Sequence, residues 1–222
     1  VYDTIVPVIK IKHNGMVVDH TNAKDTVFVE AGDFVEVFDE STVGRADYWE
    51  WTIGSAKSFK QNDFLVLKKL GAFKGTFGIS RRGKNVPGDY EFYRIPINFK
   101  VVPSSKPFVL AGDIIELEDQ TIQVPFNGEF APFVNQEEFF TVTLNGVETT
   151  NFNLTINPDD ATILDLKFKE TIYRSDTITV SYGGAGTLES TDTRSPVAFP
   201  AETVSMFQHE AVVFDFEDGG AN

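Results

Sequence analysis

Five aromatic side chains carry most of the chemistry this chain offers a ligand. Tyr48, Trp49 and Trp51 lie in the run Asp47-Tyr-Trp-Glu-Trp51, and Tyr90 and Tyr93 follow the turn residues Pro87-Gly88-Asp89. Aromatic rings stack on the apolar faces of pyranose sugars and exclude water there, so such groups point to carbohydrate. On an extended strand Trp49 and Trp51 share one face and Tyr48 takes the other. For both tryptophans core packing is the stronger reading, because a Trp on such a strand anchors a β-sandwich. Tyr48 is then the surface aromatic. Tyr90, Phe92 and Tyr93 stand where a loop passes into a strand, a place where sandwiches carry binding groups. Packing of the final strand competes with that reading and is the stronger of the two. The ligand-binding candidates are Tyr48, Tyr90 and Tyr93.

Other chemistries are weaker. Residues 57–84 hold eight basic side chains (Lys57, Lys60, Lys68, Lys69, Lys74, Arg81, Arg82 and Lys84) against one acid, Asp63, with Phe59, Phe64, Phe73 and Phe77 interleaved. That is either a basic face for an anionic partner or a solvated surface that keeps sheet edges apart, and the second is preferred. His13 and His20 have no recognised ligand spacing, so no metal is expected. Asn157, Asp159 and Asp160 could supply calcium oxygens, but no spacing matches an EF-hand loop and an Asx-capped turn explains them at least as well. Carboxylates abound, but an acid/base pair needs a cleft that small sandwiches seldom build, and no nucleophile elbow, phosphate loop or HExxH run occurs. We expect no catalytic residue and no cofactor.

These groups must be positioned by strands. Alternating or apolar runs recur at Val6–Ile11, Val27–Phe38, Phe64–Leu67, Ile95–Val102, Phe139–Leu144, Ile163–Phe168 and Thr177–Tyr182, separated by turns such as Asn14-Gly15 and Asn145-Gly146. Many short strands with frequent turns predict an all-β protein built from sandwiches. Leu164, Leu166 and Phe168, with Ile178, Val180 and Tyr182, are read as the inner face of two neighbouring strands. The 222 residues contain no cysteine, which excludes disulfides and thiol catalysis. Residues 1–103 carry 14 basic and 13 acidic side chains, and residues 104–222 carry 5 and 20. The step coincides with Pro103-Ser-Ser-Lys-Pro107, a short stiff connector. We therefore place one domain at 1–103 and a second at 104–208. An acidic second half argues against nucleic acid and anionic membranes as partners.

Val35, Val37, Asp39 and Ser41, followed by Trp51, Ile53 and Gly54, resemble the V-x-F-x-D-x-S and W-x-F-G motifs of PKD domains, although Ser55 and Ala56 replace the Asp-Gly that closes the second motif. Phe140–Gly146, Asn157–Leu166, Ile172–Tyr182 and Gly186–Arg194 resemble bacterial Ig-like domains found in tandem on surface glycan-binding lipoproteins of Bacteroidetes-type polysaccharide utilisation systems. The resemblance implies two tandem Ig-like β-sandwich domains at the outer-membrane cell surface. They would act as a non-catalytic stalk that holds a distal carbohydrate-binding domain for polysaccharide capture. It further implies a TonB-dependent importer and its lid lipoprotein as partners, and a membrane link only through a lipid anchor upstream of Val1, now lost. Val212–Asn222 resembles the entrance of a jelly-roll carbohydrate-binding module, so 209–222 is read as the start of a third domain. Direct glycan binding, an ancillary role in a secreted glycoside hydrolase, and adhesion are the alternatives.

Overall fold

A computed structural model describes residues 2–208. The expected third domain at 209–222 lies outside the described residues. The chain divides into two compact units, one formed by Val1–Pro107 together with Glu189–Arg194, the other by Phe108–Leu188 with Ser195–Asn222.

Unit 1 contains β1 (Ile9–His13), β2 (Met16–Val17), β3 (Thr26–Glu30), β4 (Phe34–Asp39), β5 (Tyr48–Ile53), β6 (Ala56–Ser58), β7 (Asn62–Val66), β8 (Gly71–Arg81) and β9 (Asp89–Val102). They form a four-stranded sheet in the order β2-β1-β4-β7 and a five-stranded sheet in the order β3-β9-β8-β5-β6. The apolar run at 27–38 is not one strand. It breaks at the turn around Gly32, where Asp33 N–H donates to the Glu30 carbonyl, and its halves enter different sheets. β3 pairs parallel to β9, with Thr26 opposite Asn98, and the remaining pairs are antiparallel. Asn14 and Gly15 both take positive φ (51° and 75°) between His13 and Met16, the geometry that lets a two-residue turn follow the strand twist. The β8–β9 register shifts between Phe73 and Gly75. Pro96, which has no N–H for the ladder, lies in the matching stretch of β9.

The two sheets close on Ile11, Val35, Val37, Trp51, Phe77, Ile95, Ile97 and Phe99. Trp51 is fully buried and stacks on Phe77 with ring centroids 4.0 Å apart. Its Nε1–H donates to the Lys60 carbonyl at 3.1 Å, so the indole is buried with its polar group satisfied. Trp49 is half-buried against the same core and donates to Asp39 Oδ2 at 2.7 Å. Asp39 Oδ1 also accepts from the Ser41 amide. The spacing Asp-x-Ser…Trp is thus one local device that fixes the turn after β4.

Unit 2 contains β10 (Ile115–Glu116), β11 (Thr121–Pro125), β12 (Phe140–Leu144), β13 (Val147–Thr149), β14 (Phe152–Ile156), β15 (Ile163–Phe168), β16 (Ile178–Tyr182) and β17 (Phe199–Thr203), with a 3-10 turn at Glu137–Phe139. The sheets run β10-β11-β15-β14 and β13-β12-β16-β17. Leu164, Leu166 and Phe168 do face inward, as do Ile178, Val180 and Tyr182. They are not on neighbouring strands, however. β15 and β16 belong to different sheets, and the two triplets contribute to one core from opposite layers. Alternation identifies the buried face of a strand but not the sheet it joins. The protein is all-β, with two Ig-like sandwiches in tandem.

Candidate functional site

The most feature-rich surface is the outer face of the five-stranded sheet, where cross-strand pairing arranges side chains in rows. Tyr48, Ser80 and Tyr90 form one row across β5, β8 and β9. Glu50, Gly78 and Phe92 form the next. Lys57, Thr52, Thr76 and Arg94 form a third, extended to β6. Because same-face residues repeat every second position, these side chains project outward while Trp51, Phe77 and Ile79 project into the core.

Gly78 shapes the middle of this face. A Cβ built there would lie 3.4 Å from the Tyr90 hydroxyl and 3.7 Å from Glu50 Cβ. The Tyr90 side chain therefore leans across the strand over the glycine, covering backbone that would otherwise be bare, and Gly78 is buried although it faces outward. Tyr90 is still 56% exposed and Phe92 48%. Both rings are bordered by polar residues of the neighbouring rows.

Tyr48 is held differently. The Arg82 guanidinium sits 3.4 Å from the Tyr48 ring centroid, and its Nε–H donates to Ser80 Oγ at 2.8 Å. The Arg82 amide is in turn fixed by Asp47 Oδ1 at 2.7 Å. Arg94 lies 5.7 Å from the Phe92 ring, and farther along the sheet Lys100 lies 5.9 Å from the ring of Phe28. Three cation–aromatic pairs thus share this face. Among the described residues, Lys57, Arg82, Arg94 and Lys100 form no ion pair with a carboxylate. Lys10, Lys60, Lys106 and Arg194 elsewhere in unit 1 each have one. Beside the first row, Ser80, Arg81, Arg82, Gly88, Asp89 and Tyr90 line an open depression.

Of the three sequence candidates, Tyr48 and Tyr90 come together in one row. Tyr93 does not join them. It packs half-buried on the core side of β9, opposite Phe77, with the His20 ring edge-on at 6.2 Å. Phe92, Arg82, Arg94 and Glu50 complete the face. The first was grouped with the tyrosines in the sequence, and the sheet register supplies the others.

The basic run at 57–84 does not form one surface. Lys57 and Arg82 are on this face, and Lys60 pairs with Asp63. Arg81 is only 5% exposed. Its Nε–H donates to the Pro87 carbonyl at 2.6 Å and its Nη1 to the carbonyls of Asp3 and Gly44. It therefore clamps three chain segments at one end of the sandwich. His13 Nδ1 lies 3.2 Å from the Phe34 carbonyl, and the His20 ring meets Tyr93 edge-on. Asn157 Oδ1 accepts from the amides of Asp159 and Asp160, each at 2.9 Å, which is the Asx-capped turn read from the sequence. Among the described residues, no group of three or more His, Asp or Glu side chains could hold a metal ion.

A second polar cluster governs the connector. The Asp192 carboxylate accepts from Arg194 Nε at 2.7 Å, the Ser104 amide at 2.9 Å and Ser190 Oγ at 2.5 Å. Glu30 Oε2 accepts from both the amide and the hydroxyl of Ser105 at 2.9 Å. Burial pushes the Asp192 carboxyl up, but the bonds from Arg194, Ser190 and Ser104 outweigh it and hold its pKa below the usual aspartate value. Hydrogen bonds from Ser105 hold Glu30 low as well.

No family model matches the chain, and no curated protein matches it either. Among solved structures it is similar to SGBP-B of the Bacteroides ovatus mixed-linkage glucan utilization locus, solved in complex with a mixed-linkage heptasaccharide. That match has 13% identity and a TM-score of 0.32, and covers 90% of this chain and 47% of that one. It is also similar to a tandem pair of titin Ig domains, at 10% identity and a TM-score of 0.28, covering 92% of this chain and 97% of that one. The chain thus spans about half the length of the glucan-locus protein it matches. The fold statement above rests on the sheets themselves.

Proposed function

We propose that this chain is a non-catalytic spacer of a cell-surface protein that captures polysaccharide. In this reading the chain holds a separate carbohydrate-binding domain at a distance from the outer membrane. The observation that carries the proposal is the connector. The chain passes between the two units three times, after Pro107, Leu188 and Arg194. Within unit 1, Ser104, Ser105 and Lys106 are held by Asp192, Glu30 and Asp33. A connector tied at successive residues and crossed three times has fewer configurations than a free linker. Fewer configurations raise the effective concentration of a distal site near its partners. An importer of the TonB-dependent type with its lid lipoprotein belongs to the same proposal, as does an upstream lipid anchor.

The chain has no cysteine, so Gln61→Cys and Glu148→Cys, one on each unit, can carry spin labels without interference. A narrow inter-label distance distribution by pulsed electron resonance is expected. A distribution as broad as that of a flexible linker overturns the spacer reading. Release of reducing ends from a soluble polysaccharide, abolished by replacing one carboxylate, overturns the non-catalytic part.

A further inference from the structure

We infer that the outer face of the five-stranded sheet in unit 1 binds acidic polysaccharide, a chain of sugar rings bearing carboxylate or sulfate groups. The inference rests on the reading above that the protein serves polysaccharide capture, and it adds a site, a ligand class and the residues that recognise it.

Three observations converge on this face. First, its large exposed apolar groups are rings rather than aliphatic chains. Tyr90 and Phe92 are about half exposed on adjacent rows, and Phe28 is 60% exposed farther along. Ring faces suit the C–H faces of sugars, whereas a protein partner more often meets a mixed apolar patch. Second, the charge is mainly basic, although Asp47 and Asp89 lie at the edge of the first row. Lys57, Arg82 and Arg94 border the first three rows and Lys100 lies beyond them, while Glu50 is the one acid in those rows. This occurs on a chain whose net charge is −14, so the cations are not a by-product of a basic composition. The four form no ion pair among the described residues and are available to an external anion. Third, the key groups are already ordered. Ser80 and Tyr48 hold the Arg82 guanidinium, and Gly78 seats Tyr90. Ordering done by the fold need not be done again on binding.

Neutral glycans would use the rings alone, which yields little affinity once ordering costs are met. An anionic sugar uses the rings and the cations together. Nucleic acid would also meet rings and cations; the polysaccharide reading above favours the carbohydrate, and single-stranded DNA is the competing polyanion in the test.

Calorimetric titration of the whole chain tests the inference, with polygalacturonate as the carboxylate arm and dextran sulfate as the sulfate arm. Unmodified dextran, mixed-linkage glucan and single-stranded DNA are the comparisons. Binding to at least one acidic polymer is expected, tighter by about tenfold or more than to either neutral glucan. It should weaken several-fold between low and physiological salt, because exposed charges are screened beyond about 8 Å there. Arg82→Ala with Arg94→Ala should reduce affinity about tenfold, Tyr90→Ala about fivefold, and Glu50→Gln should increase it. All these positions are exposed or half-exposed, and an unchanged urea midpoint confirms that each variant is folded. No binding to either acidic polymer overturns the inference, as does equal affinity for neutral dextran or for DNA. Binding that survives both loss variants places the site elsewhere and overturns it too. None of these failures alters the spin-label or hydrolysis results that decide the spacer reading.

Discussion

Replacing Asp192 by alanine is the sharpest test of how the connector is held. Asp192 is 2% exposed and its carboxylate serves three donors, the Arg194 guanidinium, the Ser104 amide and the Ser190 hydroxyl. Removing it takes the carboxylate from a guanidinium whose side chain is 15% exposed and the acceptor from two further donors. Breaking a buried charged pair by removing one member costs roughly 3–5 kcal/mol. Arg194 keeps its bond to the Lys106 carbonyl at 2.9 Å, so the lower end applies, about 3 kcal/mol. Both tryptophans of the chain, Trp49 and Trp51, are in unit 1, so tryptophan fluorescence follows that unit alone. With a urea slope of about 1–1.5 kcal/mol per molar, the fluorescence midpoint should fall by about 2–3 M.

Asp192→Asn keeps an acceptor for Ser104 but loses the charge, and about half the effect is expected, near 1.5 kcal/mol. The acid dependence follows from the lowered pKa. A carboxylate held below its unfolded value stabilises fully above about pH 4 and loses that contribution as pH falls through the folded value. The parent should therefore lose urea resistance below pH 4 more steeply than Asp192→Asn. An Asp192→Ala midpoint within about 0.3 M of the parent, a shift of less than about 0.5 kcal/mol, would refute this account of the connector.

Gly44 has φ of 93°, and an added Cβ would come within 2.4 Å of Ile5 Cα. Gly44→Ala should cost at least about 2 kcal/mol and speed hydrogen exchange at the Ile5 amide, which Asp89 Oδ2 now holds at 2.7 Å. Trp51→Ala should destabilise unit 1 by about 3–5 kcal/mol, read by the remaining Trp49 fluorescence. Leu166→Ala should cost unit 2 about 2–5 kcal/mol, advancing part of the far-ultraviolet dichroism transition and leaving the tryptophan transition in place. A shared shift of both signals would mean that the two cores unfold as one.

Much of this architecture can be read directly from the residues. Alternation at 35–37, 164–168 and 178–182 marks strands and their buried faces, because side-chain direction on a strand has a period of two. Asn14-Gly15 and Asn145-Gly146 mark tight turns, since they tolerate the positive φ such turns need. Tyr48 opposite Trp49 and Trp51, and Trp51 in the core, follow from the same period. What the residues leave open is pairing between distant segments. Alternation could not place β15 and β16 in different layers, nor move Glu189–Arg194 into unit 1. The period of two puts Tyr93 in phase with Ile95 and Ile97 and Tyr90 on the other face, but it could not show that Tyr90 joins Tyr48, because that depends on the β5–β8 and β8–β9 registers. It sends the neighbours Arg81 and Arg82 to opposite sides, but it could not show that one clamps buried carbonyls and the other caps Tyr48. Local chemistry determined the strands, their faces and the turns. The non-local ladder, where a slip of one residue exchanges the faces, decided which side chains meet on the surface.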